Sequence, residues 1–187
     1  MYAATVSAIR LVLFLCLTGV VTSASAAASD WKAFVGTYSG TANAQTSSGS
    51  QSRDMAVSIS EIDDGFRVEW DTSRLKPTGK IKRNSYSIDF APSDRAGIYA
   101  SRMAPGLFGG RKPLDPLKGE PYVWARIEGK TMTVYAMLID STGNYEMQVY
   151  ERTLVADGLD LHFTRYRRSQ VLSEVRALLT RKKSSSY

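Results

Sequence analysis

The sequence predicts an all-β fold: an antiparallel up-and-down barrel of about eight strands with a C-terminal amphipathic helix. Three observations predict it. From Val35 onward apolar and polar residues alternate with period two. Turn signals recur every eight to twelve residues or so, the spacing of a sandwich or barrel. After Arg168 the apolar spacing becomes helical.

The strands follow in order. Phe34 to Ala42 opens the domain. Met55, Val57 and Ile59 alternate with small polar residues, and Asp63-Asp64-Gly65 is a hairpin turn signal. Phe66, Val68 and Trp70 then alternate with Arg67, Glu69 and Asp71, as in a strand buried on one face. Tyr86, Ile88 and Phe90 repeat the pattern, and Gly97 to Met103 continues it. Tyr122 to Glu128 and Thr131 to Ile139 flank the turn at Gly129. The second of these is apolar on both faces, so something is expected to cover its outside. Tyr145 to Arg152 and Leu159 to Arg167 flank Ala156-Asp157-Gly158, another hairpin signal. Consecutive hairpins favour an up-and-down arrangement, and closure removes exposed strand edges.

Two loops interrupt the strands. Asn43 to Ser52 is polar and rich in Ser and Gly. Ala104 to Pro121 carries four prolines and four glycines around Leu107, Phe108, Leu114 and Leu117. Such a loop either binds something or caps one end of the core. Beyond the last strand, Val171, Leu172, Val175, Leu178 and Leu179 fall on one face of a helix, with Ser169 as its N-cap. The expected organisation is therefore a barrel over 29–168, a helix over 169–183 packed on or beside it, and a disordered tail over 184–187.

Residues 1–28 read as a secretory signal peptide. Arg10 precedes the apolar run Leu11 to Val21, and Ala24-Ser25-Ala26 and Ala26-Ala27-Ala28 are small-residue cleavage sites. The run is about half the ~20 residues of a membrane span. Export predicts a periplasmic or secreted location. The chain's one cysteine, Cys16, lies inside this run, so the folded part must be stable without disulfides. The net charge of +6 is concentrated at the end of the chain. From Arg165 onward seven basic residues face Glu174 alone, and Arg176, Arg181, Lys182 and Lys183 form the expected basic surface.

Enzyme signatures are thin. The single histidine, His162, faces away from Leu161 and Phe163, and no zinc, nucleophile-elbow or phosphate-loop motif is present. No cofactor and no metal site are expected.

The segment Trp31 to Gly40 carries Gly36-Thr37-Tyr38. It resembles the Gly-x-Trp motif that opens the first strand of lipocalin-like proteins of the calycin superfamily, with Tyr in place of Trp. Asn144 to Tyr150 is similar to their Tyr- and Asp-rich penultimate-strand motif, and Arg165 and Arg167 stand where their last strand ends in an arginine. The resemblance implies a barrel closed by Trp31, Gly36, Tyr38 and Arg165, with the arginine on the first-strand aromatic. A guanidinium at the end of an apolar stripe independently calls for an aromatic partner, and Trp31 or Tyr38 is the candidate.

The expected function is an exported, non-enzymatic binding protein that holds a small apolar or amphipathic ligand. The candidate lining is Val57, Ile59, Phe66, Val68, Trp70, Tyr86, Ile88, Met147, Val149, Leu161 and Phe163. The alternative is a cell-envelope interaction module with a solid barrel. It would act through the basic helix or the 104–121 loop on an anionic membrane surface or envelope partner. Nucleic acid is not an expected partner.

Overall fold

A computed structural model describes residues 31–46, 49–76, 78–102, 104–105, 111–112 and 115–182. The segment read as a signal peptide, Lys183 and the tail over 184–187 lie outside the described residues.

After a short 3-10 turn at Trp31–Phe34 the described residues form twelve strands. They are β1 (Gly36–Thr46), β2 (Gly49–Ile62), β3 (Gly65–Leu75), β4 (Ile81–Pro92), β5 (Ile98–Ser101), β6 (Ala104–Pro105), β7 (Arg111–Lys112), β8 (Tyr122–Glu128), β9 (Thr131–Ile139), β10 (Tyr145–Val155), β11 (Gly158–Arg167) and β12 (Gln170–Arg181). Strands β6 and β7 pair only with each other, inside the long loop. The other ten form a closed antiparallel barrel in which sequence neighbours are spatial neighbours and β12 returns to β1.

Asn43 to Ser52, read as a loop, carries the paired ends of β1 and β2 at Asn43–Thr46 and Gly49–Ser52. Two further expectations are corrected. The barrel has ten strands where about eight were expected, and no α-helix occurs among the described residues. The segment read as a helix is β12, and the two corrections share a cause. An up-and-down sheet closes with every pair antiparallel only if its strand number is even. Nine barrel strands precede residue 168, so a tenth is required. At the β11–β12 turn, Arg168 (φ 49°) and Ser169 (φ 63°) both take left-handed conformations. A two-residue hairpin needs that geometry and a helix N-terminus does not. Val175, Ala177 and Leu179 then point inward with period two, while Leu178, counted on the helical face, is 55% exposed. A bulge opposite Arg165 and Tyr166 leaves Leu172 without a partner on β11.

At the seam, Tyr38 and Ser39 pair with Arg181 and Thr180, and the Lys182 N–H donates to the Thr37 carbonyl (2.8 Å). A Cβ on Gly40 would run into the Leu178 carbonyl oxygen, so glycine is what lets β1 approach β12. The outside of β9, where the helix was expected to dock, carries instead Tyr135 stacked on Trp124 of β8 (centroids 4.8 Å apart). The turn Pro116–Lys118 lies beside the same strand.

The two barrel ends differ. One is plugged by the 3-10 turn: Trp31 stacks on Phe66 (5.6 Å), which stacks on Phe90 (5.2 Å) and meets the edge of Tyr99 (5.1 Å). At the other end the β3–β4 hairpin extends beyond the wall. β5 pairs with β4 only at Phe90–Pro92, and Ile81 to Ser87 are exposed. This leaves a mouth flanked by Tyr86.

Candidate functional site

The interior is built in layers. Hairpin pairing across Val155 and Gly158 places Leu154 opposite Leu159, Arg152 opposite Leu161, Tyr150 opposite Phe163 and Gln148 opposite Arg165. Since Leu159 and Leu161 are buried core residues, the whole series Leu154, Arg152, Tyr150, Gln148, Glu146 faces inward. The layers nearest the plug are filled by Ile59, Phe66, Val68, Ile127, Met132 and Leu179. Above them a cavity of about 130 Å³ remains. Arg53, Met55, Val57, Trp70, Thr72, Tyr86, Tyr150, Arg152, Leu161, Phe163 and Val175 line it, with Asn84 at the mouth and Ala56 and Asp71 at its side. Ten strands enclose a wider interior than eight, which side chains alone can fill.

Arg152 is the unusual member. It is 1% exposed, and its Nε and Nη1 are buried with no hydrogen-bond partner. Its guanidinium lies 5.7 Å from the centre of the Trp70 ring and 5.4 Å from that of Tyr150. These cation–π contacts offset part of the desolvation but give the in-plane N–H groups no acceptor. Burial pulls the group down to about 10, with Tyr150 acting in the opposite sense, so it stays cationic at neutral pH. Burial likewise pushes the Tyr150 phenol up to about 12, so it remains a donor.

The polar groups nearer the mouth are satisfied among themselves. The Tyr150 hydroxyl donates to Gln148 Oε1 (2.9 Å), and Gln148 Nε2 donates to Glu146 Oε1 (2.9 Å). Arg165 grips the Glu146 carboxylate with Nε and Nη2, both at 2.7 Å, and Arg167 Nη2 adds a contact at 3.2 Å. The Arg165 fork is the main reason the Glu146 carboxyl lies below its ordinary value.

The sequence-predicted lining divides three ways. Val57, Trp70, Tyr86, Leu161 and Phe163 line the cavity. Ile59, Phe66 and Val68 are core beneath it, and Ile88 packs against that core. Met147 and Val149 occupy the outward positions of β10, because alternation gives the inner face to Gln148 and Tyr150. Arg53, Met55, Thr72, Asn84, Tyr150, Arg152 and Val175 are cavity residues that reading by hydropathy missed. The signal that finds Tyr150 and Arg152 is the hairpin register counted back from Ala156-Asp157.

The closure residues are also rearranged. Trp31 joins the plug, and Gly36 and Tyr38 open β1. The arginine over Tyr38 is Arg181, not Arg165. Its guanidinium sits 5.0 Å from the ring centre and donates to the Tyr38 hydroxyl (2.6 Å), Val35 O (3.1 Å) and Ala33 O (3.3 Å). The Tyr38 hydroxyl donates in turn to Phe34 O (2.8 Å). Arg165 is at the far end because β11 runs away from the plug, and β12 brings Arg181 back to it. Of the expected basic surface, Arg176 is exposed and paired with Glu174 (3.1 Å), and Lys182 is exposed.

His162 lies on the outer face between Glu151 (3.0 Å) and Glu174 (2.8 Å). Among the described residues no group of three or more His, Cys, Asp or Glu could hold a metal ion. A larger concavity, about 550 Å³, lies on the outside of β1–β4. Its walls include Ser39, Thr41, Asp54, Asp71, Ser73 and Ser85, an outward and predominantly polar set.

No family model matches the chain, and no curated protein matches it. Among solved structures, the S-type phycobiliprotein lyase CPES from Guillardia theta is a distant likeness. Identity is 8%, with 83% of this chain and 92% of that one covered, at a TM-score of 0.36.

Proposed function

We propose that this chain is a non-enzymatic binding protein whose barrel holds a small apolar or amphipathic ligand. One observation carries the reading. An otherwise packed barrel, plugged at one end, keeps an aromatic-walled cavity beneath the open one. Trp70, Tyr86, Tyr150 and Phe163 form a continuous set of rings there, with centroids 4.6–5.4 Å apart. Export and a lipocalin-like relationship belong to the same proposal. They rest on the pattern of residues 1–28 and on the Gly36-Thr37-Tyr38 opening.

Native mass spectrometry on gently purified protein tests it, together with a thermal-shift titration using benzyl alcohol. The expected result is an extra mass released on denaturation, or stabilisation by the alcohol, with either effect lost in Val175→Trp, which fills the cavity. Wild-type protein that carries no mass and does not respond to benzyl alcohol contradicts the proposal. The competing reading, an envelope module acting through a basic C-terminal helix or the 104–121 loop, loses the first of these because that segment is a barrel strand.

A further inference from the structure

Among the described residues, three arginines have a buried Nε without a partner: Arg53, Arg102 and Arg152. Arg102 is explained locally, since its Nη2 donates to the carbonyls of Asp63 and Asp64 in the β2–β3 turn. The other two line the same cavity. The single carboxylate in that lining, Asp71, belongs to the outer face of β3, is exposed, and accepts from Ser85. Glu146, the inward carboxylate nearest the mouth, is fully engaged by Arg165, Arg167 and Gln148. Among the described residues, the cavity therefore has an aromatic wall, two guanidiniums and no carboxylate on its inner face.

A buried polar group without a partner calls for an explanation, and a buried charge more so. Were Arg152 merely structural, folding would have favoured an acceptor beside it, as it did for Arg181, Arg165 and Arg67. Its guanidinium brings to the cavity a buried positive charge whose Nε and Nη1 have no acceptor, and a carboxylate supplies both the countercharge and acceptor oxygens. The size of the cavity limits the rest of the molecule. A pocket near 150 Å³ accommodates benzene, and drug-sized ligands need roughly 300 Å³ or more. A cavity of about 130 Å³ encloses one ring or a short chain.

We infer that the barrel's ligand is a small organic carboxylate, a single-ring or short-chain acid, with its head on Arg152 and its body among Trp70, Tyr150 and Phe163. Arg53 at the mouth adds a second positive charge that draws the anion in. The inference rests on the binding reading above and specifies its chemistry.

The test is isothermal titration of the full chain at neutral pH and low salt with two acids, benzoate and hexanoate, and their uncharged amides. At least one acid is expected to bind about tenfold or more tighter than its amide, the scale of a charge-assisted hydrogen bond. In Arg152→Met that preference falls to near unity, while Arg152→Lys keeps part of it. Ligand-free Arg152→Met should melt at or above the wild-type temperature, because an uncompensated buried charge is replaced by an apolar chain of similar length. A structural arginine predicts the opposite, so a fall of about 10 °C would overturn the inference. Acid and amide binding equally would overturn it while leaving the barrel reading intact. So would an acid preference that survives Arg152→Met. If none of the four probes binds, the carboxylate assignment fails, and a neutral mass in the native spectrum would still uphold the barrel as a carrier.

Discussion

The barrel holds two arginines against aromatic rings, and they sit in opposite circumstances. Arg181 at the plugged end reaches the Tyr38 hydroxyl and two backbone carbonyls, so its position is explained by what it ties together. Arg152, deeper and far less exposed, has two unpartnered nitrogens and a cavity beside it. The difference teaches how to separate a structural cation from a binding one. Both make cation–π contacts, so ring proximity does not discriminate. The completeness of the hydrogen-bond set does.

The comparison can be broken or sharpened by mutation, starting at the plug. Phe66→Ala removes a fully buried ring that touches Trp31, Phe90 and Tyr99. It is expected to destabilise the fold by about 3–5 kcal/mol in urea denaturation. If it is nearly neutral, the end is not a packed plug. Arg181→Met is expected to lose about 1–3 kcal/mol, through bonds at the β1–β12 seam. Opposite signs for Arg181→Met and Arg152→Met are the sharpest form of the comparison, and equal losses would erase it.

Glu146→Gln is expected to lose about 1 kcal/mol at pH 7, since a carboxylate gripped by Arg165 becomes a neutral amide. The folded state holds the Glu146 carboxyl below its ordinary 4.5. The stabilisation is therefore present above that value and disappears as pH falls through the lowered one. Denaturation curves of wild type and variant should converge below about pH 4.5. A constant gap across that range would show that the ion pair contributes nothing.

The smallest effect concerns the β11–β12 turn. Ser169→Gly is expected to stabilise by about 0.5 kcal/mol, because φ at this position is positive. Part of the gain is offset by loss of the Tyr145–Ser169 hydroxyl contact. At a helix N-cap the same change would be slightly destabilising. The sign in a thermal melt thus distinguishes hairpin from helix.

The C-terminal segment shows why one pattern can support two readings. Val171, Leu172, Val175, Leu178 and Leu179 satisfy a helical stripe, while Val175, Ala177 and Leu179 satisfy a strand. Alanine and leucine serve either, and local propensity is overridden by the free edges of β1 and β11, which need a partner. The inner face of β10 is obscured in the sequence for a related reason. Hydropathy favours Met147 and Val149 as inward residues, and only the register of the β10–β11 hairpin shows that Tyr150 and Arg152 take that face.

By itself the sequence determined the all-β antiparallel class and most of the strands and turns between them. Alternation and turn chemistry are local properties of a chain. It also marked Trp70, Tyr86 and Phe163, three of the four rings of the cavity wall. The tertiary structure decided the tenth strand, the arginine that closes the barrel and the one left unsatisfied inside it. Those depend on which edges remain to be paired and which donors find acceptors. Both are settled only when residues far apart in the chain, such as Tyr38 and Arg181 or Trp70 and Arg152, are brought together.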